Sequence, residues 1–307
     1  MTEAASFKDY LKLHLIVFIW GFAAILAKLI EMPTAEVVFY RTLLAAIGLA
    51  LLLKFRKRAF NIGRAGILRT LGTGTLIGAH WVLFFEAARV ANVSVSLAGL
   101  ATVTFWTSLA EPLFNSRKVR IFEVGIGLVV ILGLYIVFQF EFDNALGLTL
   151  GIISALLAAI FSVLNAGIAK KYNPYMITFY EMVGAFGAVA LFTVFYEPVF
   201  LGEAFQVRVP TAEDLLYIFI LAAVCTVYAY SDAVELMKRI SAFTVNLTIN
   251  LEPVYGILMA LAIFGESEEM SSGFYLGTFI ILLAVFLYPV INRRMRKRAE
   301  RINQAGL

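Results

Sequence analysis

Between residues 228 and 264 the chain reads YAYSDAVELMKRISAFTVNLTINLEPVYGILMALAIF, and chemistry-bearing side chains interrupt two runs that are otherwise apolar. Glu252 sits deep in the second run and Asp232 in the first. A carboxylate at the centre of a bilayer costs roughly 2.5–3.5 kcal/mol on insertion scales, so such a residue faces a protein interior or a wet cavity rather than lipid. Two readings of Glu252 follow: it binds a substrate amine or a proton, or it packs between helices with a hydrogen-bonded neighbour. Pro253 withholds an amide donor from the carbonyl of Ile249 and crowds the residue before it, so a kink is expected over 249–252. Helical spacing puts Thr248, Glu252 and Tyr255 on one stripe, with Asn246 and Asn250 on another. A helix polar on two sides does not face lipid.

Further candidates lie outside this stretch. His80, beside Trp81, is either a proton relay to Glu252 or a neutral imidazole bonded across helices. Cys225, Tyr228, Asp232 and Glu235 fall at spacings of three, four and three, which places them on one helical face. There Asp232 lines an inner vestibule or pairs with Lys238 or Arg239, Glu235 reads as a solvated end residue and Cys225 as core. Trp20, Trp81, Trp106 and Tyr228 are aromatic at mid-helix, suited to stacking on a substrate or to plain packing. Thr102, Thr104, Ser162 and Asn165 supply neutral polar groups, for a cavity or for interhelical hydrogen bonds worth about 0.6 kcal/mol on average. Arg41 and Glu86 both point toward the outer end and could form a gate or a structural tie. His14 is the one other histidine, and no dense ligand set accompanies either, so neither a metal nor a cofactor is expected.

These residues must be held by membrane-spanning helices. Of the 307 residues 61% are hydrophobic and 15% charged, with a mean hydropathy of +0.88. Apolar stretches at 13–30, 36–53, 68–87, 93–114, 121–138, 146–169, 175–196, 215–234, 242–264 and 273–291 are each near the length that crosses about 30 Å of hydrocarbon. The expected fold is an all-α integral membrane protein of ten helices. Of the 25 Lys and Arg, all but Lys28, Arg41, Arg89 and Arg208 fall in segments on one side if the N-terminus is cytoplasmic. The positive-inside rule then places both termini in the cytoplasm. The positive charge alternates between loops instead of forming one patch, which argues against nucleic acid. The basic tail, 292–307, suits anionic lipid at about 1 kcal/mol per basic residue. Monomer and dimer remain equally open.

An internal repeat divides the chain. Phe39-Tyr40 recurs as Phe179-Tyr180 at an offset of 140 residues, which also matches Arg41 to Glu181. Glu86 and Arg89 recur as Glu235 and Lys238, and Trp106 as Tyr255, at 149. The expected division is 1–145 and 146–291. An odd number of spans per half makes the second half enter from the opposite side, the inverted repeat on which many secondary transporters are built around a midplane site.

Trp20-Gly21, the helix entry Phe39-Tyr40-Arg41, the run Asn250-Leu251-Glu252-Pro253-Val254-Tyr255 and the ending Gly265-Glu266 together resemble the drug/metabolite transporter superfamily, EamA branch. The resemblance implies that helices 1, 3, 4, 6, 8 and 9 surround a central cavity, and that the protein exports amino acids or other small polar or amphipathic metabolites across the cytoplasmic (inner) membrane. Substrate contacts are expected from Trp20, His80, Thr104, Asn165, Tyr228, Asn250, Glu252 and Tyr255, and gating or coupling from Arg41, Glu86 and Asp232. Two departures stand out in the first half: Thr104 where a proline would mirror Pro253, and Ser116-Arg117 in place of the Gly-Glu ending. An intramembrane enzyme using Glu252 and Asp232 is the rival, although neither H-E-x-x-H nor G-x-S-x-G occurs. A channel is the third option, and the charged or carbonyl rings of a selectivity filter are missing.

Overall fold

A computed structural model describes residues 5–57, 60–115, 121–140, 142–196 and 208–304. Apolar runs of about twenty residues satisfy every backbone group internally only as helices, and among the described residues there is no strand. In chain order the helices are α1 (Phe7–Leu29), α2 (Thr34–Phe55), α3 (Gly63–Val90), α4 (Val93–Leu100), α5 (Val103–Asn115), α6 (Ile121–Phe140), α7 (Ala145–Ile168), α8 (Pro174–Tyr196) and α9 (Ala212–Ile220). A π-helical stretch, Leu221–Tyr228, joins α9 to α10 (Ala229–Leu236), followed by α11 (Ala242–Ile249), α12 (Glu252–Phe264) and α13 (Ser272–Gln304). Among the described residues, seven helical segments are long and apolar enough to cross a membrane, two of them made of α4 with α5 and of α11 with α12. The expected tail contact with lipid falls mostly on side chains outside the described residues.

Both broken helices break at the same place. α4 starts at Val93 and α11 at Ala242, α5 at Val103 and α12 at Glu252, each pair 149 residues apart. Near Pro253 the chain makes a tight turn in which Leu251 N donates to Thr248 O (3.0 Å). The first half reaches the same turn without a proline: Thr102 N donates to Gly99 O at 3.2 Å and its hydroxyl donates to that same carbonyl at 2.8 Å. A threonine hydroxyl that bonds a local carbonyl competes with the helical ladder. Lack of a proline at Thr104 therefore does not leave α4 and α5 as one straight rod.

The main packing pairs join one half of the chain to the other: α3 with α7 and α8, α2 with α8, α4 and α5 with α7, α1 with α12, and α6 with α13. The α3–α8 crossing is the closest. A Cβ on Gly74 would lie 2.2 Å from the backbone oxygen of Glu181, and one on Gly184 would lie 2.2 Å from that of Leu71. Without side chains at these points the two backbones touch, the usual way membrane helices gain contact where no hydrophobic drive separates helix from lipid.

Each end of the bundle carries its own ion pairs. At the end where α1 starts, Asp9 pairs with Arg239 (2.8 Å) and Lys12 with Asp232 (2.7 Å), while Tyr175 donates to Asp232 (3.1 Å). At the opposite end the fully buried carboxylate of Glu268 accepts from Lys28 Nζ (2.7 Å), the amides of Val93 (3.0 Å) and Ser94 (2.9 Å), and the Ser94 hydroxyl (2.9 Å). The carboxylate meets the free N–H groups that open α4, where both the orphan donors and the helix dipole favour negative charge. That contact ties α1, α4 and the turn after α12 together.

Candidate functional site

A cavity opens at the centre of the bundle, between Trp20 and Ala23 of α1, Arg41 of α2, His80, Trp81, Phe84 and Phe85 of α3, and Leu100 and Val103 at the first helix break. Phe161 and Ser162 of α7, Tyr230 and Val234 of α10, Met237 just beyond it, and Asn246 and Glu252 at the second break complete the wall. Its space for water centres is about 70 Å³. One water needs roughly 10–15 Å³ by that measure, so the cavity holds several waters. Met237 also lines a second space at the end where α1 starts, together with Lys170, Lys238, Arg239 and Glu111. Met237 thus belongs to the walls of both spaces.

Two ionisable side chains, Glu252 and Arg41, share this apolar enclosure. Glu252 is 5% exposed, and among the described residues nothing hydrogen-bonds to its carboxylate. Arg41 is 2% exposed; its Nε donates to Thr226 Oγ1 (3.0 Å), its guanidinium stacks 3.7 Å above the Trp81 ring, and Nη1 has no partner. The π-helical stretch builds this corner. Thr226 Oγ1 itself donates to Leu221 O, five residues back, at 2.9 Å, and Trp20 Nε1 donates to Cys225 O at 2.9 Å. Such wide turns frequently occur at functional sites.

His80 stands in the wall, against the rings of Phe84 and Phe161. Its Nδ1 is 3.0 Å from the carbonyl of Ser154 and 2.7 Å from the Ser154 hydroxyl, which donates back to His80 O (3.0 Å). A carbonyl only accepts, so Nδ1 carries the proton and Nε2 is the ring's free acceptor. A polar zipper runs back from the wall at Asn246 and Ser162. Asn250 Nδ2 donates to Thr104 Oγ1, Thr104 Oγ1 donates to Asn246 O (3.2 Å), Asn246 Nδ2 donates to Thr107 Oγ1 (2.7 Å), and Ser162 Oγ donates to Asn246 Oδ1 (3.2 Å). It binds the two broken helices to each other and to α7.

Of the residues singled out from sequence, Trp20, Arg41, His80, Trp81, Ser162, Asn246 and Glu252 line the cavity. Thr104 and Asn250 belong to the zipper, and Asn165 donates to the Tyr230 hydroxyl (2.7 Å), so these three stand one layer back. Tyr228 is 41% exposed while Cys225 is 1% exposed, which corrects the single face expected for residues 225–235: the wide turn rotates Tyr228 outward. Tyr255 packs on Phe18 with ring centroids 5.4 Å apart, at the α1–α12 contact outside the wall. Trp106 lies against Phe105 (4.9 Å), also outside it.

The residues expected to gate, Arg41 and Asp232 among them, are placed differently from expectation. Arg41 does not meet Glu86; it turns inward to Thr226 and Trp81, adding α2 to the helices that line the cavity. Asp232 pairs with Lys12 rather than Lys238 or Arg239, because Lys238 is taken by Glu235 (3.0 Å) and Arg239 by Asp9. Sequence reasoning gave no cavity role to Tyr230 or Asn246. Tyr230 could have been found, since it is the partner of Trp81 at the 149-residue offset and the two rings meet edge-on at 6.3 Å.

The fold, the paired helix breaks and a central cavity with buried charge define an integral membrane transporter. The chain belongs to the EamA-like transporter family, whose model matches residues 9–139 and again 145–288. An uncharacterized transporter of Archaeoglobus fulgidus is 26% identical over 293 residues, covering 91% of this chain and 96% of the relative. One of Haemophilus influenzae is 23% identical, covering 88% and 91%. The pseudopaline exporter CntI of Pseudomonas aeruginosa is 28% identical over 158 residues, 50% of this chain and 54% of that protein. A solved crystal structure, 14% identical, covers 94% of this chain and 99% of its own with a TM-score of 0.66, a likeness of fold.

Proposed function

We propose that the protein is a secondary transporter that exports a small zwitterionic metabolite of the amino-acid class across the cytoplasmic membrane by alternating access, with both termini cytoplasmic. The observation that carries this reading is that Arg41, whose Nη1 has no partner, and the carboxyl of Glu252 line one aromatic-walled cavity. Arg41 Nη1 would take a carboxylate and Glu252 an amine, while Trp20, Trp81, Phe84 and Phe161 cover the apolar part. Buried polar groups with nothing to bond are costly, and cargo supplies both partners at once. A relative named as an exporter supports the direction. Ten spans in two inverted halves, 1–145 and 146–291, are consistent with the matched helix breaks and with the grouping of ion pairs at the two ends.

The cargo, not a covalent reaction, is what this geometry serves: Asp232, the second carboxylate of an enzymatic reading, is bound to Lys12 and Tyr175 away from Glu252. The test is a thermal-shift screen of amino acids and related metabolites on purified protein, followed by counterflow of each hit in proteoliposomes. Accelerated exchange of labelled for unlabelled hit is the expected result. Stabilisation only by purely cationic or purely anionic compounds would overturn the zwitterion assignment, and chemical conversion of the hit would overturn transport.

A further inference from the structure

Glu181 is fully buried on α8, about 10 Å from the start of that helix at roughly 1.5 Å per residue. It lies beside the hydroxyl of Tyr230 and the carboxamide of Asn165. Yet neither carboxylate oxygen has a hydrogen bond, and Asn165 Oδ1 is equally without a partner. Among the described residues no Lys or Arg forms an ion pair with it. The Tyr230 oxygen accepts from Asn165 Nδ2 at 2.7 Å, which leaves the phenolic proton to be donated. Tyr230 also lines the central cavity, so one side chain touches both places.

Counting donors and acceptors exposes a missing proton. The two carboxylate oxygens and Asn165 Oδ1 are three acceptors, and only two donors are free to serve them: the Tyr230 O–H and the second Nδ2 hydrogen of Asn165. An ionised carboxylate here would be desolvated without a counter-charge. A proton on Glu181 completes the set: the carboxyl O–H donates to Asn165 Oδ1, and the Tyr230 O–H donates to the other carboxyl oxygen.

We infer that Glu181, Asn165 and Tyr230 form a proton-binding site, separate from Glu252 and linked to the cargo cavity through Tyr230. Its use in driving cargo rests on the transporter reading above; the binding of the proton does not. The titratable groups deep in the helices packed against α8 are otherwise engaged: Arg41 of α2 by Thr226 and Trp81, and His80 of α3 by Ser154. Asp232 of α10 is held by Lys12, Glu235 beyond it pairs with Lys238, and Arg69 of α3 is exposed. When Glu181 releases its proton to water at the end where α1 and α8 start, the carboxylate draws the Tyr230 hydroxyl and the second Asn165 N–H toward itself, and the cavity wall tightens toward α8.

Infrared difference spectra of the purified full chain, recorded without cargo while pH is stepped, test this directly. The expected signal is a protonated-carboxyl C=O band that disappears on alkalinisation, is missing from Glu181→Gln, persists in Glu252→Gln and changes frequency in Tyr230→Phe. A Glu181→Gln spectrum identical to wild type, or a Glu181 band that does not respond to pH wherever the protein is folded, overturns the inference. Should Glu181→Gln not fold, Tyr230→Phe carries the test, and an unshifted band refutes the link to the cavity. Because no cargo is present, failure of the cargo assignment shows in counterflow alone and leaves this measurement standing.

Discussion

Replacing Glu252 by Gln separates a cargo-binding carboxylate from a packing one. The side chain is 5% exposed, faces the cavity and takes no hydrogen bond, so Gln keeps its shape and breaks no contact. Stability without cargo should change little, because the substitution opens no cavity and removes no hydrogen bond. Binding is different: a hydrogen bond to a charged group is worth about 1.5–3 kcal/mol. At about 1.4 kcal/mol per factor of ten, affinity for a zwitterionic cargo should fall roughly ten- to hundredfold. The assay is the thermal shift of the variant against cargo concentration, paired with counterflow in proteoliposomes. An unchanged melting temperature without cargo, with a titration displaced to higher concentration, is the expected pair of results. Wild-type affinity in a folded Glu252→Gln protein would refute the reasoning, and a large loss of stability without cargo would show that the carboxylate is structural.

Three other perturbations follow from the packing. In Gly74→Ala the new methyl would meet the Glu181 carbonyl at 2.2 Å, so melting should drop by the equivalent of about 1–3 kcal/mol or more; Gly72→Ala, with nothing within 4 Å, is the control and should melt no lower than wild type, Ala being the better helix former. Glu268→Ala strands Lys28 and the amides that open α4, at a cost of about 3–5 kcal/mol by denaturation, whereas Lys28→Met with Glu268→Met should recover much of it. A reporter that requires the cytoplasm should be active when fused after Arg58, Arg120, Lys171 or Arg298 and silent after Asp143 or Glu268, and activity on both sides of α6 would sink the ten-span arrangement.

The helices, and the break at 249–252, were legible because hydropathy, a proline beside a buried acid and helical spacing are all local signals. The 149-residue register was legible too, since it pairs helix starts at Val93 and Ala242. What stayed hidden depends on partners far along the chain. Arg41 turns inward because Thr226 and Trp81 wait there, and Thr226 is presented by a widened turn that no residue type announces. Asp232 could not be assigned to Lys12 while Lys238 and Arg239 stood nearer in sequence, for the competition from Asp9 and Glu235 is a fact of the folded bundle. The break in the first half was missed because a threonine hydroxyl, unlike a proline, disturbs a helix only in some settings.

The glycine contact between α3 and α8 sets how such a protein can move. With no layer of side chains between the two backbones at Gly74 and Gly184, a rigid tilt of α3 against α8 would take this crossing as its fulcrum. Gly74 divides α3 unequally, leaving arms of roughly 17 Å toward Gly63 and 24 Å toward Val90 at about 1.5 Å per residue. A tilt of about 10° would swing the longer arm's tip by about 4 Å and the shorter by about 3 Å, in opposite directions. His80 and Trp81 sit only six and seven residues from the pivot, within about 11 Å, so they shift by about 2 Å or less. On the alternating-access proposal, leverage of this kind would open and close the two mouths by turns while the groups assigned to the cargo barely move.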